Sequence, residues 1–230
     1  MARVAFIVDD MFEDAELRVP FDRLKQAGHE VVVVGREEGK RLEGEHKKEH
    51  VTTAHAVHDV TADEFDALVI PGGYSPDRLR LDPQMADLTR QIFAAGKPVA
   101  AVCHAGSMLI EADIVDDRTV TSWPSIKTDL LNAGAHWVDE PVVEDGTLIT
   151  SRRPDDLTVF SDAILRQLEG RIPERITPFV PSEEAAEDVL PEAPIHCPSR
   201  TRTARSDATG KLRDFQLGNR PYVEVRGPPK

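Results

Sequence analysis

Four segments, Arg3–Val8, Glu30–Val34, Ala67–Ile70 and Val99–Val102, carry almost unbroken apolar runs. A strand with one face in water alternates apolar and polar residues. A strand covered on both faces does not. Between these runs lie helical patterns. Asp14–Ala27 places Leu17, Phe21 and Leu24 at i, i+4 and i+7, and Gly28 stops it. Pro20 should kink it. Gln84–Ala95 turns Met85, Leu88 and Ile92 inward and ends at Gly96. Helices are also expected over Ala105–Ala112, 124–133 and Asp155–Leu168, with short strands near Val142–Val143 and Leu148–Thr150. The polar stretch 36–58 reads as a hairpin or an excursion. Alternating strands and helices of this kind predict an α/β fold, a three-layer sandwich around a mainly parallel sheet.

The 230 residues allow one to two domains. Nine of the 17 prolines fall in the last 60 residues, where the charge excess of the preceding part also disappears. We therefore expect a catalytic domain over 1–170 and a proline-rich extension over 171–230 without a fold of its own. Within the extension, Ser182–Asp188 suits a short capped helix, and Arg200, Arg202, Arg205 and Arg213 stud the stretch after it. A net charge of −13 argues against nucleic acid as a partner. The longest apolar runs are strand-sized, so no membrane span is expected. The N-terminus reads as a core strand rather than a signal peptide, and two cysteines make no disulfide framework. Both point to the cytoplasm.

In such a sheet, ligands bind at the carboxyl ends of the strands. Val99–Val102 runs straight into Cys103-His104-Ala105-Gly106, the strand–turn–helix setting of a nucleophile elbow. A helix N-terminus there favours a thiolate, and the His104 N–H is placed to serve an oxyanion. A buried structural cysteine is the competing reading. Ile70-Pro71-Gly72-Gly73 ends another strand, and the Gly73 N–H is a second candidate oxyanion donor. After the first strand come Glu13, Asp14 and Glu16. One carboxylate beside the thiol would share its proton. The alternative is acids at a helix start, which suits Glu13 and Asp14 better than Glu16. The spacing of His50, His55 and His58 suits no metal site. Cys197 reads as a free thiol without a catalytic role.

Several segments together resemble the PfpI-type branch of the ThiJ/PfpI superfamily, whose fold is flavodoxin-like and shared with class I glutamine amidotransferases. They are Phe12–Leu17 with Pro20, Leu24–Val31, Glu64–Gly73, Gly96–His104, Asp129–Gly134 with Trp137–Asp139, and Ser151–Leu157. The resemblance implies that Cys103 is the nucleophile and that Glu16 is the carboxyl hydrogen-bonded to it. It implies that Gly73 and His104 supply the oxyanion hole. Asp77 lies where the branch has a glutamate that reaches a neighbouring subunit's histidine, and it is shorter by one methylene. Ala105-Gly106 replaces the family's Gly-Pro. His46-Lys47-Lys48-Glu49 replaces a Lys-His-Gly stretch near the pocket, so Glu13, Tyr74 and His46 are candidate pocket residues. A homodimer, or a larger oligomer, is implied.

The resemblance offers a cofactor-free, cysteine-dependent hydrolase of stress defence. It would act as an intracellular peptidase, or as a glutathione-independent glyoxalase or deglycase on 2-oxoaldehydes and their adducts. A non-catalytic redox sensor or chaperone-like protein oxidised at Cys103 is the alternative. A glutamine amidotransferase is disfavoured, since no His-x-Glu pair occurs in 136–230.

Overall fold

The computed structural model describes residues 1–177. In chain order its elements are β1 (Arg3–Ile7), α1 (Asp14–Gln26), β2 (Glu30–Gly35), β3 (Arg41–Glu43), β4 (His50–Thr52), β5 (His55–Ala56), β6 (Ala67–Ile70), α2 (Ser75–Leu79), α3 (Pro83–Ala94), β7 (Val99–Val102), α4 (Gly106–Glu111), β8 (Thr119–Val120), α5 (Lys127–Asn132), β9 (His136–Trp137), β10 (Val142–Asp145), β11 (Leu148–Ser151) and α6 (Leu157–Leu168).

Seven strands form one sheet in the order β10-β11-β7-β6-β1-β2-β5. All pairings in it are parallel except that of β10 with β11. The apolar runs fill both faces because strand side chains alternate in direction. Ala5, Ile7, Leu68, Ile70, Val99 and Ala101 join one core with Met85 and Ile92 of α3 and Met108 of α4. Val4, Phe6, Val69, Ala100 and Val102 join the other with Leu17 and Leu24 of α1 and Phe160 of α6. The three layers expected from sequence are therefore present. The stretch 36–58 is a β3–β4 hairpin followed by β5 at the sheet edge. Helix α1 runs as a single element through Pro20.

From β1 the chain builds outward to β2 and β5, then returns to the other side of β1 to lay down β6, β7 and β11. The order thus reverses between β1 and β6, and the loops leaving their carboxyl ends diverge there. This is where an open parallel sheet presents a crevice.

Of the proline-rich extension, 171–177 belong to the described residues. They follow the domain surface without regular structure. Arg175 pairs with Asp117 and Asp145, and the Ile176 N–H donates to Asp145 Oδ1 at 3.2 Å. Asp145, fully buried, also accepts the Thr119 N–H at 2.7 Å. The acidic stretch, the arginine-studded stretch and Cys197 lie outside the described residues.

Candidate active site

Three loops meet at the crevice. The loop after β1 is stitched to the loop after β6: the Glu13 N–H donates to the Gly72 carbonyl at 3.2 Å and the Tyr74 N–H to the Met11 carbonyl at 2.8 Å. The approach is so close that a Cβ on Gly73 would lie 2.5 Å from both Glu13 N and the Met11 carbonyl oxygen. A Cβ on Gly72 would lie 2.8 Å from the Cys103 Cβ. Gly73 also has φ +73°, a left-handed conformation that glycine adopts without steric cost. The Gly-Gly pair therefore lets backbone, rather than side chain, border the sulfur.

Cys103 follows β7 directly and opens a single turn, Cys103–Ala105, ahead of α4. Its φ is +62°, unusual for a residue with a Cβ, and it is 9% exposed. This is the strained strand–turn–helix corner expected from the sequence. Burial pushes the thiol up, and the Glu16 carboxyl, wherever it is ionised, pushes it further. Backbone N–H groups of His104 and Gly73, facing the sulfur, act in the opposite direction. The expectation that a helix end alone would favour a thiolate thus meets a larger opposing effect, desolvation.

Glu16 is fully buried in the first turn of α1. Its Oε2 accepts the Gly72 N–H at 2.9 Å, and no partner of Oε1 is found among the described residues. Burial, then the charge of Glu13, pushes its carboxyl up to about 8. Glu16 thus stays protonated at neutral pH beside the thiol. Glu13 is the helix N-cap, its Oε2 accepting the Glu16 N–H at 2.9 Å.

Asp14 has a different task from the one its place in the helix suggests. Its carboxylate accepts the N–H groups of His46, Lys48 and Glu49 at 2.9, 2.8 and 2.7 Å and so shapes that loop. A Cβ on Gly44 would lie 2.6 Å from the same carboxylate. Burial would raise the Asp14 carboxyl, but these backbone donors outweigh it and hold it below its ordinary value. Asp14→Ala should cost about 4.5 kcal/mol, from three lost hydrogen bonds to a charge at the low end of their usual worth, or roughly 9–18 °C in Tm. Calorimetry of the two proteins measures it. Because the folded carboxyl is held low, the contribution is present above the unfolded pKa and fades as pH falls through the folded one. Asp14→Ala should therefore lose sensitivity to acid.

The His104 ring lies with Nδ1 3.8 Å from the Cys103 Sγ and Nε2 3.0 Å from the Ser125 Oγ. Burial holds the imidazole below its ordinary pKa, against the charge of Glu45 and the backbone of Gly73. A cavity of about 240 Å³ opens here, bordered by Gly73, Tyr74, Asp77, Arg80, His104 and Asp129 among others. Asp77 thus shares a cavity with His104, but no hydrogen bond or ion pair joins them among the described residues of the protomer. His46 and Glu13, 3.8 Å apart, border a separate depression with Asp14 and Arg18. Cys103, His104, Glu16 and Gly73 are therefore brought together, Asp77 and Tyr74 lie beside them, and His46 stands apart. Ser125, hydrogen-bonded to the ring, carries no motif of its own in the sequence. Its only signal was Pro124, which opens the single turn Pro124–Ile126.

A cysteine in a left-handed corner at a sheet's switch point, with a buried carboxyl against it, defines a thiol-centred site on a flavodoxin-like scaffold. The chain belongs to the DJ-1/PfpI family, whose model matches residues 2–167. It is 42% identical over 167 residues to "Protein/nucleic acid deglycase 2" of Escherichia coli strain K12, covering 72% of this chain and 97% of that protein. It is 42% identical over 168 residues to "General stress protein 18" of Bacillus subtilis strain 168, covering 73% and 98%. Among solved structures, a two-domain protein of Anabaena variabilis with DJ-1/ThiJ/PfpI-like and ferritin-like domains superposes with a TM-score of 0.73 at 38% identity. That match covers 78% of this chain and 52% of that one.

Proposed function

We propose that this chain is a cysteine-dependent hydrolase of carbonyl stress, acting without a cofactor on 2-oxoaldehydes and their adducts. The observation that carries the reading is the buried acid Glu16, protonated to about pH 8, beside a cornered thiol that faces the N–H groups of Gly73 and His104. The names of its relatives support it.

The chemistry follows from the groups present. As the Cys103 thiol loses its proton to His104, the sulfur adds to the aldehyde carbon of a 2-oxoaldehyde. The carbonyl oxygen takes up the negative charge between the Gly73 and His104 N–H groups and then the proton of neutral Glu16, giving a hemithioacetal. The Glu16 carboxylate left by that transfer takes the proton from the former aldehyde carbon and returns it to the neighbouring carbonyl carbon, while the hydroxyl proton passes to the neighbouring oxygen. The result is a thioester on Cys103. Water cleaves it, the 2-hydroxy acid departs and the thiol is restored. Glu16 suits this exchange because in its neutral state it adds no negative charge against the thiolate.

Cleavage of a peptide bond makes a stricter demand. An amine must leave, so an oriented histidine must deliver a proton to it. Among the described residues no carboxylate is hydrogen-bonded or ion-paired to His104, Asp77 included, so nothing anionic holds its ring charged for that delivery, which favours carbonyl substrates. If Asp77 acts at all, it does so across a subunit boundary in a homodimer or larger oligomer, which we also propose. No helix among the described residues is long and apolar enough to cross a membrane. We place the protein in the cytoplasm, where a thiol nucleophile stays reduced.

The test is consumption of methylglyoxal without glutathione, with a fluorogenic peptide panel in parallel. Lactate formation at enzymatic rates, with no peptide cleaved, is the expected result. Peptide cleavage alone would replace this reading with a peptidase. Silence in both, with stoichiometric sulfinate at Cys103 in the protein's mass, would replace it with oxidation sensing.

A further inference from the structure

The geometry points to Ser125 as a positioning residue that orients the His104 imidazole from within the same protomer. The inference deepens the thiol-enzyme reading above and rests on it for its catalytic meaning.

Three observations support it. First, Ser125 Oγ lies 3.0 Å from His104 Nε2, at the end of the ring away from the sulfur, while Nδ1 lies 3.8 Å from Sγ. The ring therefore bridges the thiol and the hydroxyl. Second, the turn that carries Ser125 is tied to the nucleophile's own backbone. The Trp123 N–H donates to the Cys103 carbonyl at 3.3 Å, and the Ile126 N–H to the Trp123 carbonyl at 3.3 Å. The segment entering the turn is held as well. Trp137 Nε1–H donates to Ser122 Oγ at 3.0 Å, and that hydroxyl donates to the Trp123 carbonyl at 2.9 Å. Third, Gly106 makes room for the turn. A Cβ there would lie 3.0 Å from Ile126 Cδ1, so the small residue after Cys-His-Ala lets the Ser125 turn approach.

The chemical consequence follows from what an imidazole needs in order to take a proton. If Nε2–H donates to a fixed oxygen, Nδ1 is left with its lone pair facing Sγ. Once Nδ1 has taken the thiol proton, both nitrogens donate, Nε2 still to Ser125 Oγ. The hydroxyl accepts in both states and need not reorient. A hydrogen bond from a cation is stronger than one from the neutral ring, so Ser125 favours the proton transfer as well as the orientation. This is the task expected of a carboxylate at Asp77. Here a hydroxyl is hydrogen-bonded to the ring, and among the described residues the Asp77 carboxylate is not.

The experiment uses the full chain. Alkylation of Cys103 by iodoacetamide, separated from Cys197 by peptide mapping, is followed from pH 5 to 10. In the same samples the His104 ring is titrated by NMR, its resonance identified by its loss in His104→Gln. Ser125→Ala should slow alkylation at pH 7 by about 3–10-fold, the net weight of one ordinary hydrogen bond. It should lower the His104 midpoint by roughly half a pH unit or more, and Ser125→Thr should restore both. An unchanged midpoint and rate in a folded Ser125→Ala protein would overturn the inference. So would a midpoint that moves in Asp77→Asn and not in Ser125→Ala. Neither readout needs turnover. If the wild type leaves methylglyoxal untouched and Ser125→Ala still moves the midpoint, the orienting role stands and the glyoxalase reading falls.

Discussion

Cys103→Ala should remove the proposed methylglyoxal consumption by at least about 10³-fold, the loss expected when the group proposed to bond to substrate is deleted. The fold stays intact, because alanine occupies the same corner. That corner permits a second measurement which isolates its strain. At φ +62° a side chain meets the following carbonyl, at a cost of about 1–2 kcal/mol that glycine escapes. In helices and strands, alanine is more stabilising than glycine. At position 103 the order should reverse. Cys103→Gly should be more stable than Cys103→Ala by about 0.5–1 kcal/mol, read from chemical denaturation midpoints. Both variants lack the sulfur, so the difference reports backbone strain rather than lost packing. A corner kept in a costly conformation for a residue that packs little better than alanine is one retained for chemistry. If alanine proves the more stable of the two, the corner is unstrained and that argument fails.

Where the sequence was legible, one short-range rule was enough. Runs such as Ala67–Ile70 and Val99–Val102 are apolar at every position because both faces of the sheet are covered, and the alternation with helices then dictates a parallel arrangement. Cys103, Gly73 and Glu16 stood out for the same local reason: each occupies the loop or first helical turn that follows a strand. Features set by contacts distant in sequence were not legible. Ser125 meets His104 across 21 residues. Asp14 looks like any helix-start acid until the loop at 46–49 folds over it. His46 borders a different depression because that same loop turns its side chain toward Glu13 rather than Cys103. The short pair β8–β9 has two residues in each strand, too few for a periodic signal. The direction of the Cys103 shift was also hidden, since a helix end can be read from sequence and the depth of burial cannot.

Glu16→Gln should separate the two roles of the buried acid. Glutamine keeps an oxygen to accept the Gly72 N–H and carries no ionisable proton, so it imitates the neutral acid in shape. Turnover of methylglyoxal should fall by about 10²-fold or more, the scale of a lost general acid–base. Stability should respond in a pH-dependent way whose sign is fixed by linkage. The carboxyl titrates near its ordinary value when the chain is unfolded and at about 8 when folded. A raised folded pKa means that the native state binds the proton more tightly. The resulting stabilisation is complete below the unfolded value and is lost as pH rises through about 8. Across that window the group withdraws on the order of 5 kcal/mol, an upper figure for a carboxyl beside a thiol that shares its proton. Other carboxylates act in the opposite sense at low pH, so the informative quantity is the difference between the two proteins. Wild type minus Glu16→Gln, from denaturation at pH 5 to 9, should decline steadily with pH and flatten above the folded pKa. A difference independent of pH would mean that Glu16 is already ionised in the native state. The acid at the centre of the proposed proton exchange would then have no proton to give.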